Sequence, residues 1–127
     1  MITSALAVAV GAALGALLRW WLGLTLNAVL PHLPLGTLAA NWVGGYAIGL
    51  VVAWLMHHPE LAPQWRLFLV TGVLGGLTTF SSFSVEVVSL LQQGRLLWAL
   101  AAVGLHVGGS LALTALGFST WQALRGG

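Results

Sequence analysis

Four long apolar runs, separated only by short turns, constrain this chain more than any other feature. They span about Ile2–Leu26, Leu35–Met56, Trp65–Leu91 and Leu96–Leu124. A bilayer's hydrocarbon core of about 30 Å takes roughly 20 apolar residues in helical form. Lipid offers the backbone no hydrogen bonds, so each run is expected to satisfy itself as a helix. The separators are Asn27 with Pro31-His32-Leu33-Pro34, then His57-His58-Pro59-Glu60-Leu61-Ala62-Pro63, then Gln92-Gln93-Gly94-Arg95, with Arg125 closing the fourth run. None is long enough to be a domain. The expected fold is all-α, a single four-helix transmembrane unit over residues 1–127.

Charge supports this reading. Only 5% of residues are charged, against about 25% in soluble domains. The isoelectric point near 10.7 arises from four arginines against two glutamates. No basic patch of the kind that neutralises phosphates exists, so nucleic acid is not an expected partner. The absence of cysteine removes disulfides, thiolate catalysis and thiolate-held metals. His32, His57 and His58 fall in the separators without metal-site spacing. No nucleophile–base or metal constellation is present, so an enzyme is not expected. The first run lacks a basic leader and meets its first charge, Arg19, near its far end, so it reads as a retained helix.

Trp20, Trp21, Trp54, Trp65, Trp98 and Trp121 lie near the ends of runs, as an interfacial belt requires, while Trp42 lies deeper. The pairs Gly11/Gly15, Gly45/Gly49, Gly72/Gly76 and Gly104/Gly108 permit close helix–helix approach. Four spans place Arg66 and Arg125 on one side of the membrane and Arg19 and Arg95 on the other. Orientation follows the basic excess, and here there is none. Insertion both ways, or a chance tie in a charge-poor chain, would both give this pattern.

The third run carries its own interruption. Gly72-Val73-Leu74-Gly75-Gly76-Leu77-Thr78-Thr79-Phe80-Ser81-Ser82-Phe83 holds three glycines and four hydroxyls. Glycine and clustered Ser/Thr weaken a helix. Non-helical backbone at membrane depth is tolerated only where protein buries it or where it lines a cavity. A break near the middle of the third helix is expected, with Gly75 and Gly76 letting the backbone turn, and a site is expected at the break.

The polar residues in the other runs are the remaining clues. Asn41 is either glue between helices or an amide donor to an anion. His106, Ser110 and Thr114 recur every four residues on one helix face; they form a polar track, or their hydroxyls bond the preceding turn. Phe80 and Phe83 share a face and either pack or turn their electropositive ring edges to a small anion. Such an edge binds weakly enough for release, as conduction needs. Arg19 either snorkels or faces a cavity mouth, and Glu86 is the one acid inside a run. Hydroxyls, an amide and ring edges with few acids suit an anion better than a cation.

Gly75-Gly76-Leu77-Thr78-Thr79-Phe80-Ser81-Ser82-Phe83, with Gly36-Thr37, Asn41 and Gly44-Gly45 in the second run and Gly11, Gly15 and Arg19 in the first, resembles the signature of the Fluc (CrcB) fluoride channels. The resemblance covers essentially the whole chain. It implies an antiparallel, dual-topology homodimer with two fluoride pores, each built from both subunits, in a bacterial inner membrane. It further implies a structural Na⁺ at the dimer centre, held by the backbone carbonyls of Gly75 and Thr78. By position, Phe80 and Phe83 would be the pore's phenylalanine box. Asn41 would be a pore donor, with Thr79, Ser110 and Thr114 also along the pore. Arg19 and Glu86 are vestibule candidates. His106 would also lie along the pore, where the family pattern carries a tyrosine.

The expected function is passive, selective fluoride export. Two alternatives stand beside it. A small proton-coupled multidrug-type exporter needs a carboxylate in its first helix, where this chain has Arg19 and no acid. A non-transporting membrane assembly protein would use every polar residue as glue.

Overall fold

The computed structural model describes residues 1–126. Four spans cross its length: Ile2–Leu26, Leu35–Met56, Pro63–Gln92 and Leu96–Gly126. The first two are helices α1 and α2. The third consists of α3 (residues 63–77) and α4 (Phe80–Gln92). The fourth is α5 (Leu96–Gly126). Each span is long and apolar enough to cross a membrane, and the outward side chains are largely Leu, Val and Trp. This is a multi-pass, all-helical membrane protein.

Local chemistry sets the helix ends. Asn27 Oδ1 accepts the Thr37 N–H at 3.1 Å and so serves a free donor in the first turn of α2. The third span starts two residues before the sequence expectation because Pro63 takes the first helical position, where its missing N–H is harmless. Gly94, at φ +73°, closes the link from α4 to α5. There the Arg95 N–H bonds Leu90 O (2.9 Å) and the Gly94 N–H bonds Leu91 O (3.0 Å), the paired bonds of a Schellman end.

Packing falls into two tight pairs, α1 with α3 and α2 with α5. In the first pair Gly11 meets Gly72, and a Cβ on Gly11 would lie 2.9 Å from the Gly72 Cα. In the second, a Cβ on Gly49 would lie 3.0 Å from the Gly117 Cα. Gly104 and Gly108 depart from expectation, since a Cβ on either would meet nothing within 4 Å. Their face of α5 is open within this chain.

Residues Leu67–Leu74 and Gly104–Gly108 wind as π-helix. At the end of the first segment the Gly75 N–H reaches back to Val70 O, five residues away. Such widened turns concentrate near functional sites, and both border the break in the third span.

Candidate functional site at the broken third span

The break lies at Thr78 and Thr79. Their backbones are extended, at φ −84°, ψ 153° and φ −147°, ψ 120°. This corrects the expectation that the glycines make the turn, because Gly75 is helical (φ −64°, ψ −38°) and Gly76 lies inside the same helical turn. Gly76 instead brings α3 against Ala12 of α1. Thr78 ends α3 by bonding Leu74 O twice, through its N–H (3.0 Å) and its hydroxyl (2.9 Å). Arg19 Nε donates to Gly76 O at 3.1 Å, a carbonyl near the end of α3. Thr79 caps α4, its Oγ1 accepting the Ser82 N–H at 3.1 Å. The carbonyl end of one helix thus meets the N–H end of the next, which places opposite partial charges side by side.

Asn41 holds the break open. Its Oδ1 accepts the Thr79 N–H at 2.7 Å, and its Nδ2 donates to Thr79 O at 3.1 Å. One side-chain amide therefore does for Thr79 what a neighbouring strand would do. The second N–H of Asn41 goes to His106 Nδ1 at 3.0 Å, so protein atoms occupy both of its donors. His106 is 4% exposed. Its Nε2 points toward Glu86 Oε1, 3.9 Å away and beyond hydrogen-bond distance, and neither atom has a hydrogen-bond partner among the described residues.

A groove of about 390 Å³ runs beside the break. Its wall includes Asn41, Gly75, Thr78, Thr79, Phe80, Phe83, His106 and Ser110, with Ile48, Val70, Leu74 and Leu111 supplying apolar surface. The two Phe rings sit edge to face, centroids 5.5 Å apart. Phe83 is buried against His106, ring centres 4.6 Å apart, whereas Phe80 is 75% exposed at the rim. Thr114 lies outside the groove wall; its hydroxyl bonds Gly45 O (2.8 Å) and Ser110 O (3.0 Å). Arg19 belongs to a second hollow of about 350 Å³ with Trp20, Asn27, Thr37, Thr79 and Ser82. Glu86 faces His106 and lines neither hollow.

Sequence reasoning missed the Asn41–Thr79 pairing, the Arg19–Gly76 bond and the approach of Glu86 to His106. One signal was present: Thr79 with an N–H acceptor role three residues before Ser82 is an N-cap pattern, and it marks the break more sharply than the glycines do.

Fold and site together define a small four-span membrane protein with a largely apolar groove, carrying a few polar groups and Phe80 at its rim, beside a broken helix. Residues 6–118 match the family model described as CrcB-like protein, Camphor Resistance (CrcB). The chain belongs to the CrcB family. It is 60% identical over 123 residues to a protein of Pseudomonas paraeruginosa named fluoride-specific ion channel FluC, covering 97% of each chain. A protein of the same name from Chromobacterium violaceum is 61% identical over 122 residues, 96% of this chain and 97% of that one. Another, from Pseudomonas syringae pv. maculicola, is 57% identical over 124 residues, 98% of each.

Proposed function

We propose that this chain is a fluoride channel, passively exporting the ion across a bacterial inner membrane and lowering cytoplasmic fluoride. The observation that carries the reading is its near-full-length likeness to proteins named fluoride-specific ion channels. The groove supplies matching chemistry. Ring edges, a hydroxyl and the N-terminal end of α4 are weak anion hosts, so a small ion can be held and still leave. The membrane potential supplies roughly 2.3 kcal/mol per charge per 100 mV, enough to drive efflux without a coupled reaction. On this reading the protein is a channel and not an enzyme.

Two features support assembly as an antiparallel homodimer with two pores. Phe80 stands exposed at a groove that one chain closes on one side only, and the arginines favour neither orientation. The Na⁺ implied by the family fits the oxygen chemistry of the break. Gly75 and Thr78 both border the groove, and their carbonyls would hold the ion, which would tie two copies together. Phe80, Phe83 and Ser110 would meet fluoride. Asn41 shapes the path by holding Thr79.

The test is ion efflux from liposomes containing only the purified protein. Rapid fluoride release, negligible chloride release and no uphill fluoride movement driven by a proton gradient are expected. Comparable chloride release, proton-coupled exchange or no release would each refute the reading.

A further inference from the structure

The orientation of the Asn41 amide is fixed by Thr79. A Thr79 N–H needs an oxygen opposite it and a Thr79 carbonyl needs a donor, so the flipped amide would oppose like groups twice. Nδ2 therefore faces His106, and an amide nitrogen only donates. It follows that His106 Nδ1 accepts, which leaves the imidazole proton on Nε2, facing Glu86. An imidazolium has no lone pair on Nδ1. Protonated, it would set an N–H against an N–H across 3.0 Å.

We propose that His106 is a positioning residue whose Nδ1 lone pair holds Asn41, and through it the Thr79 backbone, in the conducting arrangement, so that acid shuts conduction down by protonating that nitrogen. The proposal rests on the fluoride-channel reading for its effect on flux. The surroundings leave few competitors for this role. From α4 the one charged group facing the ring is Glu86, on its Nε2 side, and Phe83 covers a face. α2 contributes neutral Asn41 and Thr37 and carries no charged residue; its Tyr46 hydroxyl is bonded to Thr120, away from the ring. α5 has no other ionisable side chain until Arg125. In α1, Arg19 is bound to Gly76 O, and Arg66 lies at the far end of α3. Protonated His106 would keep Glu86 as a partner on Nε2 while losing Asn41 on Nδ1. The ring borders the groove, so protons reach it along the ion's path.

Current across planar bilayers in symmetric fluoride tests this, because neutral HF crossing the lipid carries no charge. As the pH is lowered from about 7.5 to about 4.5, through and below the range in which a free histidine titrates, wild-type current is expected to fall about threefold or more. His106→Asn places a non-titrating oxygen where Nδ1 was, so it should conduct with a flat pH profile. His106→Leu offers no acceptor and should conduct poorly at every pH. A flat wild-type profile, or an Asn variant that keeps the wild-type profile, would overturn the proposal. Absence of current from wild type at every pH would defeat the channel reading instead. Nitrogen NMR of His106 in nanodiscs then decides the positioning claim alone. Bare Nδ1 with protonated Nε2 at neutral pH, and Asn41 amide signals that shift as the ring titrates, are expected; the opposite tautomer refutes it.

Discussion

At the scale of single residues, Asn41 carries the most structural weight for its size. Its amide satisfies both polar groups of part-buried Thr79 at the groove wall. A buried polar group left unpaired costs about 1–3 kcal/mol. Asn41→Leu removes the partner of the Thr79 N–H, of the Thr79 carbonyl and of His106 Nδ1 at once. A loss of roughly 2–5 kcal/mol in stability is expected, together with most fluoride flux. Thermal unfolding in detergent and liposome efflux measure the two. A variant as stable and as active as wild type would remove Asn41 from the role assigned to it. The sequence marked Asn41 as a polar residue needing a partner, but a side chain pairing with unwound backbone leaves no spacing signature, so its partner was hidden. Arg19 was hidden for the same reason: its Nε bonds a carbonyl of α3, 57 positions along the chain.

At the scale of elements, the spans were legible because bilayer thickness imposes a length that apolar runs record directly. Their ends followed from Pro63, Gly94 and Asn27, residues with strong local preferences. The break falls inside the marked segment from Gly72 to Phe83, at Thr78 and Thr79 and not at its glycines. Glycine suggests a turn, yet Gly72 and Gly76 are helical, and their small size lets α1 approach α3. The π-helical segments left no trace in periodicity, since they arise from how neighbouring helices fit. Gly15 provides the test of the packing argument. A Cβ there would lie 2.7 Å from the Leu77 nitrogen, against backbone that cannot move aside as a flexible side chain would. Gly15→Val is therefore expected to destabilise the protein by about 3 kcal/mol or more. The variant should give a lower melting temperature and little folded protein. A normal melting temperature would mean that α1 and α3 are not seated as described.

At the scale of the whole molecule, one side of the chain is open. Phe80 is exposed beside a buried Phe83, and Gly104 and Gly108 face open space. Small residues on a lipid-facing helix are unremarkable individually. Together with an exposed groove rim they suit coverage by a second copy. The arginine balance leaves both orientations open to such a copy, as the proposed antiparallel pair requires. Arg66 and Arg125 lie on one side and Arg19 and Arg95 on the other, so a single added charge tips the count, and orientation follows the basic side. Gln93→Arg, next to Arg95, should drive most molecules into one orientation, and Gln64→Arg, next to Arg66, into the reverse. If the working unit is antiparallel, each variant alone should lose most fluoride resistance in cells, and the two expressed together should regain it. Reporter tags on the last helix should confirm that each variant is uniform in orientation and that wild type is mixed. Full resistance from a uniformly oriented single variant would show that one orientation suffices. The antiparallel pair would then have to be abandoned, whatever becomes of fluoride itself.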